Sequence, residues 1–205
     1  MRRILLGLFV GLTLMGSPAM AVEEPKYTLV LQEGTFEVRD YPPSLVAEVT
    51  VNGDQGGSAN RGFRLLAGYI FGGNQTRQSI PMTAPVAQRS THETIPMTAP
   101  VTQSGSEGAW VVRFTMPSRY SFETLPQPTD PRVKLKAVAA ARFAVVRFSG
   151  VANPKSFEAK AEEVLSFIRA HNFHAMGPVT LAQYDPPWTL WFLRRNEVMV
   201  QIAPE

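Results

Sequence analysis

Apolar and polar residues alternate along much of this chain, and the alternation sets its elements. Residues 27–31 and 45–51, with Phe36–Tyr41 between them, read as strands; in the latter two the alternation suits one buried face. Pro42-Pro43 breaks the second from the third, and residues 52–57 form a loop. The period then changes. From a cap at Ser58 or Asn60 to Phe71, closed by Gly72-Gly73-Asn74, the spacing predicts a helix. Its apolar residues Phe63, Leu65, Leu66, Ala67, Tyr69, Ile70 and Phe71 cover more than the stripe of about 100° that a helix packed on one side needs. Leu66, Tyr69 and Ile70 suit a sheet-facing stripe. Phe63, Ala67 and Phe71 then form a second apolar face, which protein or ligand must cover.

A seven-residue repeat follows. Residues 80–86 read Ile-Pro-Met-Thr-Ala-Pro-Val, and the same letters return at 95–101 after a polar link. Two units are too few for a solenoid, and the prolines point to an edge or bulged hairpin. Residues 110–116 are a further strand, and Leu125-Pro126-Gln127-Pro128 begins an extended connector. Residues 133–137 and 144–148 read as two more strands. Asn153-Pro154 then opens a second helix, with Phe157, Ala161, Val164, Leu165 and Ile168 on one stripe and a stop at Asn172. The chain ends with a strand at 179–184, the turn Asp185-Pro186-Pro187, and a hairpin of 188–193 and 198–202 joined by a tight link, Arg194-Arg195-Asn196-Glu197.

Each half thus runs from strands into a helix and back into strands. The expected fold is α+β: a distorted antiparallel β-barrel or curved sheet with two main helices and two pseudo-symmetric halves.

Composition narrows the setting. Of the 205 residues, the first 21 look like an export signal: Arg2 and Arg3, an apolar core, and Ala19-Met20-Ala21 as a small-x-small cleavage site. The apolar run is too short for a membrane span. Residues 22–205 are then a single exported domain, periplasmic or secreted. The formal charge is +3, or +1 once the two leader arginines are subtracted, too little for a nucleic-acid binder. Without cysteine the chain makes no disulfide, thiolate-ligated metal site or covalent haem link.

Candidate chemistry is sparse. His171 and His174 straddle the end of the second helix and His92 lies between the repeat copies, so no converging metal ligand set emerges. No Gly-x-Ser-x-Gly elbow and no phosphate-cradling glycine pattern is present. Nothing argues for an enzyme, and no catalytic residue is assigned. What remains is apolar: Trp188, Trp191 and Phe192 crowd beside Asp185-Pro186-Pro187, and a flat apolar ligand between the first helix and the last hairpin is the alternative to core packing.

The ordered series Phe36-Glu37-Val38-Arg39-Asp40-Tyr41, residues 62–72, Met82-Thr83-Ala84-Pro85-Val86, Phe114-Thr115-Met116-Pro117-Ser118, Val145-Val146-Arg147-Phe148-Ser149-Gly150, Tyr184-Asp185-Pro186-Pro187-Trp188 and Arg194-Arg195-Asn196-Glu197-Val198 resembles the SOUL haem-binding protein family. The resemblance implies non-covalent binding of haem or a related tetrapyrrole in an apolar groove between the first helix and the final hairpin, as carrier or buffer. Carried over by position, it points to Phe63, Ala67 and Phe71 on the helix and to Trp188, Thr189, Leu190 and Trp191 in the loop. The loop has no basic residue for a propionate; Arg61, Arg64 and Arg194 are the candidates to replace one. Some relatives use an axial histidine in the first half, and this chain has none before His92. The resemblance also admits an interaction module with another amphipathic ligand, or with a protein partner at the 80–101 hairpin, and an enzyme of tetrapyrrole breakdown.

Overall fold

The structure, a computed structural model, describes residues 22–90, 108–186 and 188–204. The leader and the second repeat copy lie outside the described residues.

The alternating segments become the strands β1 (Thr28–Glu33), β2 (Phe36–Tyr41) and β3 (Ser44–Gly53), followed by helix α1 (Gln55–Ile70). Then come β4 (Val86–Ser90), β5 (Gly108–Thr115), β6 (Lys134–Val138), β7 (Ala141–Ser149), helix α2 (Pro154–Ala170), β8 (Thr180–Gln183) and β9 (Arg195–Ile202). All named pairings are antiparallel. The strands make one sheet in the order β1-β2-β7-β9-β8-β4-β5-β3-β6, curved but open, with β1 and β6 at its edges.

That order contains the internal two-fold. Exchanging β2 with β6, β3 with β7, β4 with β8 and β5 with β9 reverses the series β2-β7-β9-β8-β4-β5-β3-β6 onto itself. The axis falls between β4 and β8, and β1 is an addition at one edge. The halves are interlocked, because β2 of the first pairs with β7 of the second and β6 of the second pairs with β3 of the first.

Both helices cover the same face. Val86 belongs to the core under α1 and Leu181 to the core under α2, and Leu181 pairs with Gln88, which shares its face with Val86. Under α1 the core joins Leu66, Tyr69 and Ile70 to Ala47, Val49, Val112 and Phe114. Under α2 it joins Val164, Phe167 and Ile168 to Val38, Val146, Val198 and Val200. Full burial of a side chain such as Leu66 is worth about 1.5–3 kcal/mol.

Three sequence expectations change. The first helix is capped by Asp54, whose side chain accepts from the Gly57 amide at 2.8 Å, and it begins before Ser58, which is buried inside it. The first repeat copy is no edge hairpin: Pro81 and Pro85 stand outside the ladder, and Val86 opens β4, which lies between β8 and β5. Residues 188–193 are not a strand. Only a 3-10 turn, Trp191–Leu193, forms there, because β9 is already paired on both sides by β7 and β8 and offers them no edge. Arg194 to Glu197 is accordingly no hairpin link, since β9 starts at Arg195.

Candidate functional site

α1 starts at the end of the sheet where β3 finishes and runs back to the end where β4 begins. There the Ile80 amide donates to the Ile70 carbonyl at 2.7 Å, fastening the helix terminus to the chain entering β4. Ser58, Gly62, Leu66, Tyr69 and Ile70 face the sheet and are buried. The Tyr69 hydroxyl donates to the Pro126 carbonyl at 2.7 Å; burial pushes its pKa up to about 12. The adjacent face stays open. Phe63 is exposed while touching Phe114 edge to face at 5.5 Å, Ala67 is half-buried, Arg64 is exposed, and Phe71 at the C-cap is 69% exposed.

The chain between β8 and β9 emerges at the same end of the sheet, because Gln183 pairs with Val86. Its backbone is tied down: the Thr189 amide donates to the Pro186 carbonyl at 3.0 Å, the Leu193 amide to the Leu190 carbonyl at 2.9 Å, and the Arg194 Nε to the Thr189 carbonyl at 2.8 Å. The Asp185 carboxylate accepts from the Arg195 amide at 2.6 Å. Thr189 is half-buried, whereas Trp188 is 82% exposed and Leu190, Trp191, Phe192 and Leu193 are all exposed. A loop with a fixed backbone and outward apolar side chains is the kind of patch that marks a binding surface.

The eight sequence-designated residues, Phe63, Arg64, Ala67, Phe71, Trp188, Thr189, Leu190 and Trp191, therefore sit toward one end of the sheet in two groups. α1 packs on β3 and β5, while the 3-10 turn packs on β7. Four strand spacings of about 4.8 Å separate β5 from β7 along the sheet, roughly 19 Å. The groups flank an open shelf, and none of the eight lines the main clefts among the described residues.

The opposite face of the sheet holds what the sequence did not announce. Arg39 is fully buried, donating to Glu37 at 2.6 Å and to both carboxylate oxygens of Glu197 at 2.7 and 3.0 Å. Glu197, also fully buried, further accepts from the Tyr184 hydroxyl at 2.7 Å and from Arg195 at 2.9 Å. Burial works against the Glu197 charge, but the Arg39 hydrogen bonds and charge, with those of Tyr184 and Arg195, outweigh it and hold the carboxyl below its usual range. Burial, followed by the Glu197 charge, pushes the Tyr184 hydroxyl far up. The signal was present as Glu37, Arg39 and Tyr41 on one side of β2, a polar stripe that reads as solvent-facing until the sheet curls over it.

The model of the SOUL heme-binding protein family matches residues 22–201, and the chain belongs to that family. No curated protein matches its sequence. Among solved structures it is similar to the EcmrR C-terminal domain, at 8% identity and a TM-score of 0.61, covering 87% of this chain and 99% of that one. An uncharacterized conserved protein from Listeria innocua is similar at 14% identity and 0.59, covering 82% and 92%. A hydrolase from Listeria innocua is similar at 12% identity and 0.59, also covering 82% and 92%. At these identities the likeness is one of fold.

Proposed function

We propose that this chain binds haem or a related tetrapyrrole non-covalently, without turning it over, on the shelf between the second face of α1 and the loop joining β8 to β9. It acts as an exported carrier or buffer, periplasmic or secreted. The observation that carries this reading is the set of large apolar side chains held outward at one end of the sheet, Phe63, Phe71, Trp188, Leu190, Trp191, Phe192 and Leu193, in a chain of a heme-binding family.

Magnitudes favour use of both groups. Burying about 200 Å² of apolar surface yields about 5 kcal/mol, and a micromolar complex needs about 8 kcal/mol net of association costs. The loop aromatics alone fall short of that, and a ligand that also lies against Phe63 and Phe71 buries more apolar area and comes closer to it.

The residues present fit such a ring held by contact. Of the three arginines suggested for the propionates, Arg61 donates to the Asn52 carbonyl and the Ser58 hydroxyl, and Arg194 donates to Thr189. Arg64 has no hydrogen bond among the described residues and stands exposed beside Phe63, so it is the propionate partner. His171 bonds the Phe167 carbonyl at 3.0 Å and Glu33 at 3.1 Å beside the β1 edge, and His174, next to the Ala175 bridge to Ile202, lies at the end of the sheet away from the shelf. His92 lies outside the described residues. Apolar contact and Arg64 do the holding.

Hemin titrated into the purified protein shifts the Soret band and quenches tryptophan fluorescence. Phe63→Asp and Trp191→Asp each weaken binding at least tenfold with unchanged far-UV circular dichroism, and mass spectrometry recovers the ligand unaltered. An unmoved Soret band with folded protein overturns binding; a changed ligand mass overturns the non-enzymatic role.

A further inference from the structure

The face of the sheet turned away from both helices encloses a cleft of about 390 Å³. Its lining runs from Val46 on β3 to Phe143 on β7. Five strand spacings, roughly 24 Å on a flat sheet, separate those strands. For both to line one cleft the sheet must curl around it, so this is the concave face. The volume is within the range of small-molecule sites, about 300–1,000 Å³, at its small end.

The charge of the lining is one-sided. Arg89 and Arg113 contribute to it and no carboxylate does. Arg113 is compensated: Glu48 accepts from it at 2.7 Å, and the second Glu48 oxygen is taken by Lys136 at 2.5 Å. Arg89 is not. Its Nε is buried without a hydrogen-bond partner, and its guanidinium forms no ion pair among the described residues. Desolvation, and then repulsion from Arg113, depress its pKa, and the attraction of Glu48 offsets them only in part. Such a cation is costly unless an anion joins it.

We propose that this cleft is a second binding site, taking an organic monocarboxylate with a compact apolar body anchored on Arg89. One guanidinium without an ion pair among the described residues matches one negative charge. Arg89 lines the cleft, so a carboxylate bound there can accept from its planar guanidinium, the side chain suited to bidentate recognition of that group. The Tyr41 hydroxyl, which accepts from Arg39 at 3.1 Å, has its own proton to donate into the same cleft. Val111, Phe143, Met176 and Met199 supply an apolar wall for the rest of the molecule. The site is independent of the tetrapyrrole shelf, which is built on the other face and at the sheet end.

The test uses octanoate as the carboxylate probe, with 1-octanol and octylammonium as neutral and cationic counterparts of the same chain. Calorimetry on the purified protein gives saturable octanoate binding, at least tenfold weaker binding of octanol, and none of octylammonium. In protein labelled at the methionine methyls, octanoate shifts the Met176 and Met199 resonances and leaves Met82 in place. Arg89→Met lowers octanoate affinity at least tenfold while the protein melts no lower than the natural chain, since the substitution removes a cation without an ion pair among the described residues. Phe63→Asp leaves octanoate binding intact, which separates this site from the shelf. No octanoate binding at millimolar concentration, equal binding of octanol, shifts confined to other methionines, or undiminished binding by Arg89→Met overturns the assignment.

Discussion

Arg39 and Glu197 show how much a single buried residue governs here. Both are fully buried, and each satisfies the other's charge through two hydrogen bonds. Removing one partner from such a pair typically costs about 3–5 kcal/mol, because the remaining charge is left desolvated. Arg39→Met should lose that much in urea unfolding at pH 7; a loss below about 1 kcal/mol would refute the role given to the pair. The acid limb carries a second signature. The folded Glu197 pKa lies below its unfolded value, so its contribution is complete above the unfolded carboxylate pKa of about 4.3 and is lost as pH falls through the depressed folded value. Arg39→Met removes the main cause of the depression, so acid destabilisation should begin at higher pH in the variant. The sequence carried this only as a polar stripe on β2, which does not disclose the burial. A charged residue in an alternating strand is ordinarily a solvated one, and only the curl of the sheet turns Glu37, Arg39 and Glu197 inward.

Elements were legible where period and punctuation agreed. Phe36–Tyr41 matches its strand, and Asn153 caps α2 through a reciprocal box in which its side chain accepts from the Ser156 amide and the Ser156 hydroxyl from the Asn153 amide, each at 2.9 Å. They were misread where an apolar run lacked a free partner. Residues 188–193 carry the composition of a strand, yet β9 was already paired on both sides. The site residues divide in the same way: the second face of α1 followed from its 3.6-residue period, whereas no period could say that Trp188 and Trp191 would be held outward by a turn. α1 also allows a test of close packing against propensity. A methyl on Gly62 would lie 2.5 Å from Val112, while one on Gly68 would meet nothing within 4 Å. Gly→Ala gains about 1 kcal/mol in a helix interior, and overpacking costs about 1–3 kcal/mol. Gly68→Ala should therefore raise the melting temperature and Gly62→Ala lower it. A stabilised Gly62→Ala would mean that α1 is not seated on β5 as described.

At the scale of the whole molecule, the sequence disclosed the internal two-fold but not the exchange of strands that goes with it. Order along the chain is local information, whereas the pairing of Phe36 with Val146 or of Ser44 with Val138 spans about a hundred residues and leaves no mark in either segment. The exchange has a thermodynamic consequence. Residues 22–130, taken alone, would keep α1 with β3, β4 and β5, but β3 would lose β6, β4 would lose β8, and β2 would lose β7. Backbone groups now paired in the sheet would face solvent along three edges, and Val38 would lose the core it packs in. Neither half should then be a folding unit. The purified protein should unfold in one calorimetric transition with equal calorimetric and van't Hoff enthalpies, and fragment 22–130 should show no cooperative melt by circular dichroism. Two resolved transitions, or a cooperative melt of the fragment, would show that the cores under α1 and α2 are separate and that the exchanged strands merely decorate them. A single transition would also tie the two proposed sites together, since the shelf and the cleft each draw residues from both halves.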